Sequence, residues 1–482
     1  MKKIIISKLF LYKHRFVIGY ILLGLAFVSL IFVLPFIAQK GLSEAEMSSA
    51  VSSYNLEPDA IFHGDLVNIP YRILQKFSIA IFGLTPFAIK LPSIIIGLIL
   101  GFLLILILNR WFKNNVSLLA SIVTVLSTPF LFLAGTGTPL IMLVFWPALL
   151  LWLGSKIQGE KQPEPIFCFA FAFVLLLSLF TPYMIYFALF IVAFVLSQPH
   201  LRFVIKTLPK IPLIITGLIV AGGITVLTMN AIQNHAVIKE LLLAPNFAFS
   251  NYFNNLGSAF TPVFSWSHSA EGTLLSPLIS LPVFALILIG LFSTTKGFFA
   301  SRNAIAVILL IFGVAISGLD PDSVIFITLP TAILVAHGLK YVLEKWYGLF
   351  PENPYARIFA LLPLTIFISL ILIPGVSQYV YGYHCNPIVA NNFTNNLLII
   401  RKNLSNETIL AKKDSLEYKF YKILEDSTDL KIVDEIDENI TGNIAALERQ
   451  ENGVKGRTLT RIITSEKSNN SDIIYLYTVE GE

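Results

Sequence analysis

Long apolar runs separated by short charged connections occupy the chain up to about residue 375, where the pattern changes. The runs lie near residues 16–38, 88–108, 116–134, 138–154, 166–180, 183–197, 211–229, 275–294, 303–317, 323–338 and 357–374. A helix that is hydrophobic all round belongs in a large core or in a bilayer, and crossing the hydrocarbon takes about 20 residues. The pattern predicts an all-α polytopic membrane bundle of about eleven transmembrane helices, residues 1–374. Some runs are shorter than that length, and the break at Thr181-Pro182 is the least sharply marked. Beyond Pro374 the alternation shortens. Asn391 to Asn403 and Asp414 to Leu424 read as helices, the second capped by Asp414. Thr408 to Ala411, Leu430 to Val433, Thr458 to Thr464 and Ile473 to Val479 read as strands. Residues 375–482 therefore form a small C-terminal α/β domain.

Composition supports the two regimes. Only 13% of the 482 residues are charged, against about a quarter in a soluble domain, and 16 of the 29 acids lie after position 375. The formal charge of +5 is spread over short loops and excludes a nucleic-acid-binding patch. Two cysteines, Cys168 and Cys385, exclude a disulfide framework. Met1 to Arg15 is basic and precedes a run long enough to span, as in an uncleaved anchor.

The loops orient the bundle. With the N-terminus in the cytoplasm, cytoplasmic loops hold seventeen Lys and Arg between Lys2 and Arg357. The outer loops before the tail hold five: Lys40, Arg72, Lys76, Lys90 and Lys239. This positive-inside bias and an odd number of crossings predict a multi-pass cell-membrane protein. Its C-terminal domain and its long loops, 39–87 and 230–274, would be extracytoplasmic.

The first outer loop carries the candidate chemistry. Ser43-Glu44-Ala45-Glu46 has capping-box spacing, so a helix should start at Glu44 and run toward Tyr54. Carboxylates in a first helical turn also simply complement the dipole. A second helix opens at Pro70. Its Ile73, Leu74, Phe77 and Ile81 share one face and Arg72, Gln75 and Lys76 another, the pattern of an interfacial helix. Between them lie Asp59, His63 and Asp65, three potential metal ligands at a spacing that matches no strong template. Loop 230–274 combines amides with aromatic rings, among them Trp266, a composition that suits an interfacial belt or sugar stacking. Asp320-Pro321-Asp322 is a tight turn in which capping accounts for the acids.

The order of these parts resembles the GT-C membrane glycosyltransferases of the protein O-mannosyltransferase and lipid A aminoarabinose transferase type. Those proteins read "DE…A", "PPL", "FG" and "RLPS" along the corresponding stretch. Here the counterparts are Glu46 to Ala50, Pro70-Tyr71, Phe82-Gly83 and Lys90 to Ser93. Ala134 to Pro139 is similar to the next outer turn of that family. The resemblance implies transfer of a sugar from a polyprenyl-phosphate carrier to an acceptor hydroxyl of a glycan, lipid or protein. It calls for a carboxylate base, positive charge or a divalent metal at the departing phosphate, and a groove for lipid. Glu44 and Glu46 are the catalytic candidates; Lys90, Arg72, Asp59, His63, Asp65 and Trp266 are the substrate-binding candidates. No cofactor and no resident metal site is assigned.

The sequence departs from the family pattern at three points. Ala45 stands where the catalytic Asp is expected, Thr138 where an acid is common in the next outer turn, and Asn68 replaces the lysine before "PPL". These departures keep open a non-catalytic relative that binds glycolipid or organises envelope assembly. A lipid transporter fits less well, because the spans hold almost no charge.

Overall fold

The computed structural model describes residues 15–39, 41–57, 66–159, 165–207, 210–243, 248–265, 270–271, 274–295, 297, 300–349, 354–404, 407–413, 415–426, 428, 430–434, 443–447, 457–464 and 472–479. In it, α1 (Arg15–Ala38) leads through β1 (Leu42–Ser43) into α2 (Glu44–Tyr54) and α3 (Ile69–Phe82). There follow α4 (Pro86–Trp111), α5 (Asn114–Val125), α6 (Thr128–Gly135), α7 (Met142–Gly159), α8 (Pro165–Ser178) and α9 (Met184–Ser197). The next elements are α10 (Pro199–Thr207), α11 (Lys210–Gln233), α12 (His235–Leu242), α13 (Tyr252–Phe264), β2 (Ala270–Glu271) and β3 (Leu274–Leu275). The body closes with α14 (Leu281–Thr295), α15 (Ser301–Ser317), α16 (Thr328–Gly348) and α17 (Pro354–Cys385). Each of the eleven apolar runs contains a helix, although that of the run 275–294 begins only at Leu281. Among the described residues five helices are individually long and apolar enough to cross a membrane, and five apolar helices are shorter. The remaining run, α5 with α6, is bent by 64°. The bend falls at Ser127, which is extended (φ −74°, ψ 148°) ahead of Pro129, a residue with no N–H to carry the ladder through.

Packing in the bundle follows small residues. A Cβ on Gly290 of α14 would lie 2.1 Å from the Leu334 carbonyl oxygen of α16. One on Gly338 of α16 would lie 2.2 Å from the Leu286 carbonyl oxygen. The two backbones therefore touch at both points, as small-residue seams allow between membrane helices. Helix α4 buries Leu100, Leu104, Ile107 and Leu108 and leaves Ile95, Ile99, Phe102 and Leu106 exposed, so one side meets protein and the other faces outward.

The C-terminal part contains α18 (Pro387–Ala390), β4 (Phe393–Thr394), α19 (Asn396–Asn403), β5 (Thr408–Leu410) and α20 (Leu416–Glu425). It ends with β6 (Lys431–Val433), β7 (Ile444–Ala446), β8 (Arg457–Thr464) and β9 (Ile473–Val479). Five strands form a sheet in the order β6-β5-β7-β9-β8, with β5 parallel to both neighbours and β9 antiparallel to both. Helix α20 begins one residue later than expected and is capped by Ser415, whose hydroxyl accepts the Tyr418 N–H at 3.1 Å; Asp414 lies outside the described residues. This part does not stand apart from the bundle. Leu42, Met47, Ala50, Ile79, Leu84 and Ile89 share one hydrophobic cluster with Leu397, Ile400, Phe420, Tyr421 and Leu424.

Candidate functional site

The capping box forms as its spacing requires. Ser43 Oγ accepts the Glu46 N–H at 3.3 Å, and Glu46 Oε2 accepts the Ser43 N–H at 2.9 Å. Positions two apart on a helix diverge by about 200°, so Glu44 and Glu46 point to opposite sides. Glu46 is fully buried, whereas Glu44 and Ala45 are exposed.

The buried carboxylate is heavily engaged. Glu46 Oε1 accepts the Gly137 N–H at 2.7 Å and lies 3.6 Å from Lys90 Nζ. The ammonium, 1% exposed, also donates to the Gln39 carbonyl oxygen at 3.1 Å and sits 5.8 Å from the Phe393 ring centroid. One ion pair thus ties together α2, the N-terminal end of α4, the Thr136–Thr138 turn and strand β4. Lys90 neither snorkels nor faces open solvent, and Glu46 has no free oxygen.

Gln75 makes a second tie. Its Nε2 donates to the carbonyls of Ile89 (3.1 Å) and Gly137 (2.9 Å), while its Oε1 accepts from Ser49 and Ser53 hydroxyls at 2.8 and 2.7 Å. Alongside it Tyr71 and Ser93 share a hydrogen bond of 2.8 Å, and Ser93 Oγ donates to the Thr138 carbonyl at 3.3 Å. The sequence pattern put Gln75 on one face with Arg72 and Lys76 and the apolar residues on another. In the structure Gln75 is buried and the apolar side, Ile73, Leu74, Phe77 and Ile81, is exposed. That arrangement suits a helix whose outer neighbour is lipid: the polar groups are satisfied inward and the apolar ones face hydrocarbon.

The remaining candidates are spread out. Arg72 is half-buried on α3. Asp59, His63, Asp65 and Trp266 lie outside the described residues. Among the described residues no group of three or more His, Cys, Asp and Glu is placed to hold a metal ion. Asp320 does act as a cap, accepting the Asp322 N–H at 3.1 Å and the Tyr183 hydroxyl at 3.1 Å, and burial raises its carboxyl above the ordinary range.

A small cleft opens at the α5–α6 bend. Val123, Pro129, Leu278, Val283, Val335 and Ile371 give it apolar walls, and Thr124, Ser127, Thr128, Ser280, Thr331 and Gln378 give it hydroxyls and an amide. Helix α6 runs from this cleft to the Gly137 turn, a span of about 12 Å at 1.5 Å per residue.

A multi-helix membrane body, an outer helix and interfacial helix ahead of its second long span, and a small mixed domain covering them define the GT-C fold. The chain has that fold. Residues 70–225 match the family described as dolichyl-phosphate-mannose-protein mannosyltransferase. The structure is similar to ArnT from Cupriavidus metallidurans in the apo state (TM-score 0.59) and bound to undecaprenyl phosphate (TM-score 0.56). Each comparison has 12% identity and covers 96% of this chain and 98% of that one. It is also similar to the archaeal oligosaccharyltransferase AglB from Archaeoglobus fulgidus in complex with an inhibitory peptide and a dolichol-phosphate (12% identity, TM-score 0.52). That match covers 87% of this chain and 64% of that one. No curated protein matches the sequence.

Proposed function

We propose that this chain is a membrane glycosyltransferase that takes a sugar from a polyprenyl-phosphate carrier and passes it to an acceptor hydroxyl on the extracytoplasmic face. The observation that carries the reading is the first outer helix. Within a fold shared along nearly the whole chain with an undecaprenyl-phosphate-bound relative, its first turn presents one exposed carboxylate, Glu44, anchored by one buried carboxylate, Glu46.

In this mechanism Glu44 takes the acceptor's hydroxyl proton as that oxygen bonds to the anomeric carbon. The bond from the anomeric carbon to the phosphate oxygen breaks, and its electron pair leaves with polyprenyl phosphate. Glu46 and Lys90 hold the helix rather than touch the sugar, because each is buried and paired with the other. Lys90 would meet a phosphate only if that pair opened. Arg72, half-buried on α3, is the proposed cation for the leaving group. Asp59, His63 and Asp65 between α2 and α3, and Trp266 in the second outer loop, are proposed donor and acceptor contacts.

The test is transfer from polyprenyl-phosphate sugars in proteoliposomes. Removing a general base costs about 10²–10⁴-fold, so Glu44→Gln should lose at least about 100-fold in turnover. Unaltered turnover in that variant removes Glu44 from the mechanism. One observation favours a second reading, a non-catalytic glycolipid-binding relative: Ala45 occupies the expected acidic position while Glu46 is committed to Lys90. Carrier binding without turnover of any donor in the panel would select it.

A further inference from the structure

We infer that the C-terminal domain positions the first outer helix, acting through strand β4, and that Asp472, Asn395 and Phe393 are positioning residues for Glu44. The catalytic arm of this inference rests on the proposed function; its structural arm does not.

The connection is continuous through the structure. Strand β1, immediately before the capping box, pairs antiparallel with β4 through Leu42 with Thr394 and Ser43 with Phe393. Ser43 is the residue whose hydroxyl and N–H engage Glu46, so β4 holds the first residue of the cap. Gly41 has φ +89°, and a Cβ there would lie 2.3 Å from the Thr394 carbonyl oxygen. The approach is one that only glycine permits. Phe393, 2% exposed, lies against the Lys90 ammonium. The next residue, Asn395, donates its backbone N–H (2.9 Å) and its Nδ2 (3.1 Å) to the two carboxylate oxygens of Asp472. Asp472 is fully buried and immediately precedes β9, a central strand of the C-terminal sheet.

The order of contacts is therefore sheet, Asp472, Asn395, β4, β1, Ser43 cap, and then Glu46 and Glu44. Two further bonds brace the same face: Arg401 Nη1 donates to the Leu84 carbonyl at 3.1 Å, and the Tyr54 hydroxyl donates to Asp426. Helix α2 is consequently held at its start, along its length and at its end by the C-terminal part. A displacement of about 1 Å in a reacting group can cost about 100-fold in rate, so an element that sets the start of α2 sets the reaction geometry.

The experiment uses the full chain in lipid nanodiscs. Asp472→Asn keeps size and shape but can offer one acceptor where two donors point, so it should loosen Asn395 and β4. Amide hydrogen exchange at residues 42–46 should rise by about tenfold, as local opening there becomes easier. In transfer assays kcat should fall by about tenfold while the donor KM stays within about twofold, the pattern of lost transition-state positioning. Phe393→Leu, which keeps an apolar side chain against Lys90, should retain most of the turnover that Phe393→Ala loses. If Asp472→Asn loosens only the C-terminal sheet and leaves exchange at 42–46 unchanged, the inference is overturned. An active parent whose Asp472→Asn form keeps full kcat overturns it as well. A parent with no transferase activity refutes the proposed function alone, and the exchange measurement still decides this inference.

Discussion

Breaking the Glu46–Lys90 pair from either side should expose how the outer helix is held. At 3.6 Å two unit charges attract by about 4–5 kcal/mol for an effective dielectric constant of about 20, a gross figure that the desolvation of both groups opposes. Removing one member of a buried pair costs about 3–5 kcal/mol because the other charge is stranded. Lys90→Met should fall at the low end, about 3 kcal/mol, since Glu46 keeps the Ser43 and Gly137 N–H groups. Glu46→Gln has a different fault. Its amide presents one oxygen where two N–H groups converge, so one buried donor loses its acceptor at about 1–3 kcal/mol, and the Lys90 charge is stranded as well. The double variant removes both charges together and should be no less stable than Glu46→Gln alone, a coupling of at least about 3 kcal/mol. Reversible unfolding of all four proteins in mixed micelles measures the cycle. Additive single effects, or a Lys90→Met protein as stable as the parent, would refute the claim that the pair acts as a unit.

Other outcomes follow from other contacts. Gly338→Ala should force α14 and α16 apart, because the new methyl meets backbone rather than a flexible side chain; a loss of about 1–3 kcal/mol in the same unfolding assay is expected. Gln75→Leu should strip partners from Ser49, Ser53 and the Ile89 and Gly137 carbonyls, costing about 2–4 kcal/mol while leaving the net charge unchanged. The proposed orientation puts exposed Cys385 outside, so a membrane-impermeant maleimide should label it in intact cells. Labelling only after permeabilisation would invert the topology. Tyr54→Phe should leave turnover within about threefold, because its bond to Asp426 is an exposed brace of a kind that contributes about 1 kcal/mol or less. The bond lifts the Tyr54 hydroxyl above its usual range, and ultraviolet titration should show that rise disappear in Asp426→Asn.

The sequence carried the helices well because apolarity on every face leaves few alternatives, and it carried the capping box because Ser-x-x-Glu has a local geometry. It also contained, unread, the division of labour between Glu44 and Glu46: a rotation of about 100° per residue separates their directions, and Met47 and Ala50 mark the buried side. Lys90 was harder. A lysine at the outer end of an apolar run ordinarily snorkels, and only the fold reveals that Glu46, 44 positions earlier, reaches it. The two faces of α3 were legible, but the burial of Gln75 was not, because its partners Ser49, Ser53, Ile89 and Gly137 come from other elements. Strands β1 and β4 are two residues each, too short to leave a period, and three-residue β7 lies in a polar stretch where no alternation forms. The pairing that links the two ends of the chain had no local signature.

That pairing also has a temporal side. Tyr54 and Asp426 are 372 positions apart, and at about 5–20 residues per second a ribosome takes about 20–75 s to make the intervening chain. Throughout that interval α2 is already made while its eventual cover is still unmade. A nascent chain stalled before residue 393 would therefore leave Leu42, Met47 and Leu84 uncovered, a surface that chaperones and quality-control proteases can recognise.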